Sequence, residues 1–406
     1  MLLYWIWFSE LKSLSLQQKH RLLSHFHDPE ELYHTADVVF ERLQLPVSQR
    51  QALQDRNLQK AEAILKSCTE KGIGILPVAD SAYPERLRNT PDAPIILYYK
   101  GILPNWDSVP FIGIVGTRKA TAYGLQVAHQ IGGQIASAGG FVVSGGAAGV
   151  DTSAMQGAMD AGVPVVGVLG CGVDVVYPRS NQKLFQAIVE KGCLLSEYPP
   201  KTEAISWHFP ARNRIISGLS NGILIVEAPE KSGALITARY ALEQGRDVFV
   251  VPGNINTPAC AGSNALLQDG AIPVMSGWDV LREYEFLYPG KLRKSQQVPL
   301  YTAEPKLAKV AQKTAVFEKK EAGSEKTGKN PIDNKENSTY SVLNSNKPVL
   351  NETEQAVLAQ LTREPQEPAE LIAKLDMPSG KVLSTLTMLT VKGLVRKHPG
   401  GRISLK

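Results

Sequence analysis

The alternation of short apolar runs with helical stretches between residues 111 and 276 constrains the fold of this 406-residue chain more than any other feature. The runs are continuous and rich in β-branched residues, which is typical of strands buried on both faces of a parallel sheet. They lie at 111–115, 141–143, 163–169, 193–195, 222–226, 248–251 and 272–275. Because helical stretches separate most of them, the pattern predicts an α/β domain with a doubly wound, mainly parallel sheet.

The remaining segments have different characters. Residues 1–75 show helical spacing and predict a small helical domain. Residues 76–290 form the predicted Rossmann-like domain, which begins with a proline-rich connector containing one strand-like run at Ile95–Tyr99. Residues 291–349 are rich in Lys, Glu, Asn, Ser and Thr and predict a disordered linker. Residues 350–406 read as three short helices followed by a β-hairpin, the pattern of a winged helix.

Composition indicates an ordinary globular protein, with 43% hydrophobic and 20% charged residues. The four cysteines are scattered and form no C-x-x-C pair, so we expect neither a zinc site nor a disulfide framework, in keeping with a reducing cytoplasm. The apolar start, residues 1–8, meets Glu10 and Lys12 too soon for a signal peptide or a membrane span. We therefore expect a cytoplasmic protein without membrane contact.

The net charge of +5 has a local origin. Residues 291–345 contain 11 Lys and Arg against 6 Asp and Glu, which leaves 33 residues of each sign in the rest of the chain. Any basic binding surface must therefore be a local cluster on an otherwise neutral body.

The loops at the predicted strand ends have the composition of an anion site. In an open parallel sheet, ligands bind at the carboxyl ends of the strands. Glycines there let backbone N–H groups approach a phosphate, and arginines add charge-assisted hydrogen bonds. The candidate DNA- or phosphate-binding residues are Gly116, Thr117, Arg118, Ser144, Gly145, Gly146, Arg179, Arg212, Asn213, Arg214, Ser232 and Gly233. Several such loops in a row suit a polyphosphate chain better than a single nucleotide.

Structural explanations compete with this interpretation. Glycine-rich turns often serve chain geometry alone, and Arg214 is also compatible with a surface salt bridge. Asp151 is placed to cap a helix that begins at Thr152, and Glu227 to do similar capping work. Pro210 suits the first position of a helix, which would place Arg212 and Asn213 in its first turn.

The signatures of familiar nucleotide enzymes are missing. Neither G-x-G-x-x-G nor G-x-x-x-x-G-K-[ST] occurs at the first strand-helix turn, where the sequence reads Gly113-Ile-Val-Gly116-Thr-Arg. His208 lies near the arginine cluster but has no obvious nucleophile as partner. We therefore expect no catalytic residue, no cofactor and no metal, and hence no enzyme.

Six motifs occur in order across residues 80–276, and together they resemble the DNA-processing protein A family (DprA/Smf). They are Ile114-Val-Gly-Thr-Arg118, Ser144-Gly-Gly-Ala-Ala-Gly-Val-Asp151, Ser196-Glu-Tyr-Pro199, Phe209-Pro-Ala-Arg-Asn-Arg-Ile-Ile216, Ser232-Gly-Ala-Leu-Ile-Thr-Ala238 and Val251-Pro-Gly253. The resemblance implies a SAM-like N-terminal domain and a C-terminal winged helix. It also implies a non-catalytic protein that binds single-stranded DNA, forms a homodimer and helps load the RecA recombinase on incoming DNA during natural transformation.

Two other functions stay open. The same cradle would suit a nucleotide or oligonucleotide sensor that signals through the winged helix. A nucleoside-monophosphate phosphoribohydrolase is disfavoured, because its Pro-Gly-Gly-x-Gly-Thr-x-x-Glu motif is replaced here by Glu227-Ala-Pro-Glu-Lys-Ser-Gly233. The winged helix itself suits duplex DNA or a protein partner equally well.

Overall fold

The computed structural model describes residues 1–294 and, in the C-terminal segment, residues 352–362, 364, 366, 368–375, 377, 382, 385–386, 389, 394–397 and 403–405. The first range belongs to one compact unit and the C-terminal residues to a second. The predicted linker lies outside the described residues from position 295 onward.

Residues 1–294 contain a nine-stranded sheet with the order β1-β2-β6-β5-β4-β3-β7-β8-β9. The strands are β1 (Gly74–Pro77), β2 (Ile96–Gly101), β3 (Phe111–Val115), β4 (Phe141–Ser144), β5 (Val165–Leu169), β6 (Cys193–Ser196), β7 (Gly222–Ile225), β8 (Asp247–Val250) and β9 (Ile272–Pro273). From β6 to β9 all pairings are parallel. The predicted doubly wound, mainly parallel sheet is confirmed.

Residues 74–101 form two strands, where the sequence predicted one, at Ile95–Tyr99, and the first of them begins inside the predicted helical segment. β1 pairs antiparallel with β2, with Ile75 opposite Tyr98, and β2 pairs antiparallel with β6, with Tyr99 opposite Leu195. Ile96 and Leu97 are buried. Covering this apolar run stabilises the addition of two strands to the edge of the parallel sheet.

Helices surround the sheet. They are α1 (Leu2–Glu10), α2 (Leu16–Leu23), α3 (Pro29–His34), α4 (Asp37–Arg42), α5 (Val47–Gln54), α6 (Gln59–Lys71), α7 (Glu85–Arg88), α8 (Ala122–Ser137), α9 (Val150–Asp160), α10 (Gln182–Lys191), α11 (His208–Leu219), α12 (Gly233–Glu243), α13 (Ala261–Gln268) and α14 (Gly277–Leu281). Among the described helices, none is long and apolar enough to cross a membrane. Helix α1 packs on α6, β1 and β2, so the N-terminal helices share one apolar core with the sheet.

The chain order of the strands creates a switch point at the centre of the sheet. From β3 the chain proceeds through β4 and β5 to β6, and it then returns to the other side of β3 as β7. Right-handed crossovers in opposite directions put α8 and α9 on one face and α11 and α12 on the other. The carboxyl ends of β3 and β7 therefore border a crevice, where open α/β sheets bind their ligands.

The C-terminal unit has its own small core. Helices Glu352–Ala359 and Pro368–Lys374 precede β10 (Val395–Lys397), which pairs antiparallel with β11 (Ile403–Leu405). Its buried apolar residues are Val357, Leu361, Leu371, Val382, Leu386, Leu389, Val395 and Ile403. The two helices and the hairpin agree with the predicted winged helix, and most of the third predicted helix, at 380–392, lies outside the described residues.

Helices α8 and α9 approach closely because glycines lie between them. A Cβ atom at Gly157 would collide with the carbonyl oxygen of His129, and one at Gly132 with the carbonyl oxygen of Ala154. At Gly133 the corresponding Cβ would lie 3.1 Å from the carbonyl oxygen of Gly157, a tight but tolerable contact. These two helices carry the loops after β3 and β4, so their spacing sets the distance between those loops.

We predict that Gly157→Ala lowers the free energy of unfolding by about 1–3 kcal/mol, because the added methyl meets backbone that cannot move aside. Gly133→Ala is the matched control. Its effect should be near zero, since the gain in helix propensity, about 1 kcal/mol, offsets a mildly tight contact. Urea unfolding measures both. A Gly157→Ala variant more stable than the parent chain would contradict the close packing.

Candidate functional site

A cleft of about 550 Å³ lies at the carboxyl ends of β3 and β7. One wall is the loop after β3, from Gly116 to Lys119. A second is formed by residues 229–234, which lead into α12, and a third by the beginning of α11, from Phe209 to Asn213. A smaller cavity adjoins it and shares Arg118, Phe209 and Arg212 as lining residues.

Most of the predicted site residues line these spaces. The main cleft is lined by Gly116, Thr117, Arg118, Arg212, Asn213, Ser232 and Gly233, and the smaller cavity by Gly145 and Gly146. Ser144, Arg179 and Arg214 line neither. The buried Ser144 hydroxyl donates to the carbonyl oxygen of Ile114 at 2.6 Å and so ties β4 to β3. Arg179 is exposed at the start of a 3₁₀ turn after β5.

Arg214 points away from the cleft into an ion-pair cluster. Its Nη2 donates to both carboxylate oxygens of Glu197, at 2.7 and 2.6 Å, and its Nε lies 3.3 Å from Asp92. Burial opposes the charge, but Glu197 and Asp92 outweigh it and raise the pKa of the Arg214 guanidinium. The cluster ties α11 to the loops before β2 and after β6, so Arg214 has a structural role, although its salt bridges are buried and not at the surface as the alternative supposed.

The Arg212 side chain also forms hydrogen bonds within the protein. Its side chain is 4% exposed, and Nη1 donates to the carbonyl oxygens of Gly145 (2.6 Å) and Val168. Nε donates to Oδ1 of Asn213 at 3.3 Å. Burial lowers the pKa of Arg212 to about 10, against the opposing effect of Asp151. The guanidinium thus joins the ends of β4 and β5 from beneath the cleft.

Asp151 occupies the glycine-rich cradle. Its buried carboxyl faces the backbone N–H groups of Gly116, Gly145 and Ala147, and Oδ2 accepts the Ala147 N–H at 3.4 Å. Burial raises the pKa of Asp151, while Arg212 and these N–H groups act in the opposite direction. Helix α9 begins at Val150 and has no side-chain cap, so the predicted capping of a helix at Thr152 is wrong. The Asp151 carboxyl group therefore lies between the glycine-rich loops, where the sequence predicted a bound phosphate.

Glu227 acts similarly at the beginning of α8. Its carboxylate accepts the N–H and the hydroxyl of Thr121, the N-cap residue, at 2.9 and 2.6 Å. Its carbonyl oxygen accepts the Thr117 N–H at 2.8 Å. A carboxylate is favourable at a helix N-terminus for the same reason as a phosphate. In dinucleotide-binding domains, the helix after the first strand holds a pyrophosphate at its N-terminus. Here the Glu227 carboxylate already occupies the N-terminus of that helix.

Exposed cations surround the mouth of the cleft. The Arg118 guanidinium lies over the Phe209 ring, 4.9 Å from its centroid, a cation–π contact that orients the side chain. Lys119 and Lys231 are exposed in the lining, and sequence reasoning missed both. Their positions directly after Arg118 and directly before Ser232 are the signal that would have found them.

The first turn of α12 remains open toward the cleft. The Ser232 hydroxyl accepts the Ala234 N–H at 3.2 Å, and exposed Gly233 begins the helix. The Asn213 amide donates to the Gly233 carbonyl oxygen at 3.1 Å and so joins α11 to α12. Helix α11 begins at His208, not at Pro210, which places both Arg212 and Asn213 in its second turn and corrects the predicted start.

Aromatic side chains near the cleft differ in their solvent exposure and in their ring contacts. Trp207 is 67% and Tyr177 42% exposed. The Tyr177 and Phe209 rings lie 5.3 Å apart, while His208 stacks on Tyr198. Within the described residues, no group of three or more His, Cys, Asp and Glu is arranged to hold a metal ion. The arrangement is one of exposed cations and aromatic rings around a cleft.

Fold and cleft together define a Rossmann-like α/β protein with a ligand cleft at the switch point and a C-terminal winged helix. Residues 74–285 match the family described as DNA recombination-mediator protein A, and residues 344–401 match the DprA winged helix domain. The chain belongs to the DNA recombination-mediator protein A family.

Relatives support this assignment. The chain is 31% identical over 405 residues to protein Smf of Synechocystis, an alignment covering 98% of this chain and 97% of the relative. It is 42% identical over 224 residues to the DNA processing protein DprA of Bacillus subtilis, covering 55% and 75% respectively. The crystal structure of DprA from Streptococcus pneumoniae superposes with a TM-score of 0.62 at 33% identity, over 70% of this chain and 98% of that one.

We predict that Arg214→Met lowers the free energy of unfolding by on the order of 3 kcal/mol, because it leaves two partly buried carboxylates without a partner. Arg118→Ala removes an exposed side chain and should change stability by about 0.5 kcal/mol or less. Urea unfolding of both variants checks this difference. An equal loss of stability in the two variants would contradict the assignment of a structural role to Arg214 but not to Arg118.

Proposed function

We propose that this protein binds single-stranded DNA without chemical turnover, with the DNA backbone passing over the mouth of the cleft. The observation that supports this most directly is the grouping of Arg118, Lys119 and Lys231, all exposed, around one cleft of an otherwise charge-balanced chain. Cations that neutralise successive phosphates release counterions, and this release drives sequence-independent binding.

The predicted site residues take different parts in this proposal. Arg118 and Thr117, with the first turn of α12 at Ser232 and Gly233, contact phosphates. Arg212 and Arg214 act indirectly, because their guanidinium groups brace the loops through Gly145, Val168, Glu197 and Asp92. Exposed Arg179 contacts DNA that extends beyond the cleft.

Exposed aromatic surface favours a single strand over a duplex. Bases stack on aromatic rings only when they are unpaired, and each such contact contributes about 1–3 kcal/mol in proteins that bind single strands. Tyr177 and Trp207 offer such surface beside the cations.

We further propose the cellular role that goes with the family. The chain acts inside the cell as a homodimer, protects incoming single-stranded DNA and helps load the RecA recombinase during natural transformation. The family's description as a recombination mediator and the name DNA processing protein of its relatives support this role.

Binding of a labelled oligodeoxynucleotide, measured by fluorescence anisotropy between about 50 and 200 mM salt, tests the DNA site. We expect Arg118→Ala and Lys231→Ala each to weaken binding and to make the log–log salt slope shallower by about 0.7, the value for one phosphate contact on a single strand. Lys191→Ala is the matched control, because exposed Lys191 ends α10 just before the amino end of β6, whereas the cleft lies at the carboxyl ends of the strands.

Unchanged affinity in both cleft variants would overturn the proposed site. Full competition by a nucleoside monophosphate at a concentration similar to that of the oligonucleotide would instead favour the nucleotide sensor.

RecA loading has a separate readout. On single-stranded DNA precoated with a single-strand-binding protein, we expect the chain to shorten the lag before RecA hydrolyses ATP. Arg118→Ala should restore part of the lag, because loading depends on DNA held at the cleft. An unchanged lag with wild-type chain that binds DNA normally would refute the mediator role while leaving DNA binding intact.

A further inference from the structure

The last residue of α6 forms an ion pair with a loop that is distant in sequence. Lys71 ends the helix, and its Nζ donates to Oδ2 of Asp174 in the loop after β5, 103 residues further along the chain. The Lys71 side chain is 34% and the Asp174 side chain 9% exposed. Because the pair is largely shielded from water, salt screens it less than an ion pair at the open surface. It joins the N-terminal helices to a loop of the Rossmann-like domain.

Asp174 also holds the neighbouring loop after β6. Its Oδ1 accepts the Lys201 N–H at 2.8 Å. The Gly172 N–H donates to the Thr202 carbonyl oxygen at 2.9 Å, which joins the same two loops. Burial opposes ionisation of Asp174, but Lys71 and the Lys201 N–H outweigh it and lower the pKa of the carboxyl group. One carboxylate therefore links α6, the loop after β5 and the loop after β6.

The backbone at Lys201 indicates that this link holds the loop after β6 in a specific conformation. Lys201 has a φ of 67°, in the left-handed region that residues other than glycine rarely adopt. Such a conformation persists only where surrounding contacts determine it. The hydrogen bond from the Lys201 N–H to Asp174 is one of these contacts. Loss of the ion pair should therefore loosen the loop after β6 as well as the loop after β5.

Both loops continue to the rim of the cleft. Three residues after Asp174, Tyr177 lines the cleft, and its ring lies 5.3 Å from that of Phe209. Phe209 in turn contacts the Arg118 guanidinium, which lies 4.9 Å from the ring centroid. The loop after β6 ends at Trp207, which is 67% exposed just before α11. The two aromatic side chains proposed to stack on bases, Tyr177 and Trp207, thus lie on the loops that Asp174 joins.

We propose that Lys71 is a positioning residue for DNA binding. Through Asp174, it lets the N-terminal helices hold the loops after β5 and β6 in the arrangement that presents Tyr177 and Trp207 to the bound strand. The proposal rests on the proposed binding of single-stranded DNA and gives the N-terminal helices a part in it. Lys71 itself contacts no phosphate, because its ammonium group is engaged by Asp174.

Binding of a labelled oligodeoxynucleotide to variants of the full chain tests the proposal. We expect Lys71→Met and Asp174→Ala each to weaken binding by about three- to tenfold, an effect of the size found for residues that act through others. The salt slope should stay unchanged, because no phosphate contact is lost. The double variant should bind like either single variant, since both changes remove the same contact. Lys71→Arg keeps the ion pair and should bind like wild type.

The sign of the Asp174→Ala effect separates positioning from simple charge. If Asp174 acted only by repelling DNA, its removal would strengthen binding, so tighter binding would overturn the proposal. A shallower salt slope in Lys71→Met would also overturn it, because Lys71 would then contact a phosphate itself. Wild-type affinity in both single variants would do the same. Lys66→Met is the matched control, because exposed Lys66 lies on the same helix, and its affinity should stay unchanged.

Hydrogen exchange without DNA tests the link itself. Peptides covering residues 171–178 and 199–202 should exchange faster in Lys71→Met than in wild type, whereas the rest of the sheet should exchange at the wild-type rate, which shows that the variant folds. Unchanged exchange in these two loops would overturn the positioning role. A wild-type chain that binds no strand would overturn the proposed function, while faster exchange in Lys71→Met would still support the link between α6 and the loops.

Discussion

The Arg212 guanidinium is the contact on which the cleft depends. It reaches from α11 to the carbonyl oxygens of Gly145 and Val168, at the ends of β4 and β5, and it lies beside the buried Asp151 carboxyl. Asp151 in turn faces backbone N–H groups of the loops after β3 and β4. Arg212 and Asp151 together therefore join the ends of three strands, and the floor of the cleft is the surface that results.

Because of this arrangement, the glycine-rich loops bind carboxyl groups of the protein itself. In dinucleotide-binding domains, such loops and the helix that follows hold a phosphate at their N–H groups. Here two protein side chains take that place, Asp151 at the loop after β4 and Glu227 at the beginning of α8. Phosphates of a long ligand are left with the exposed cations at the mouth. Exposed cations at the mouth of the cleft suit a polymer whose charge is on its backbone.

Most of the fold could be predicted because the buried strands are continuous apolar runs. The strand predicted at 111–115 is observed as Phe111–Val115, and the others shift by a few residues at their ends. β1 was missed because Gly74–Pro77 is short and ends in proline, so only its pairing with β2 identifies it. For the candidate site, the sequence identified loops that line the cleft but not the direction of each side chain. Arg212 and Arg214 share a motif with no local sign that both point inward, since their partners are distant in sequence.

The central claim is that the cleft at the switch point of the sheet binds DNA. The most direct test is to photocrosslink a strand that carries a photoreactive base and to map the modified peptides. Bases held at the cleft should modify residues 116–119, 204–213 and 229–237, which line it. Modification confined to the C-terminal unit, with none in these three segments, would contradict a DNA site at the switch point of the sheet.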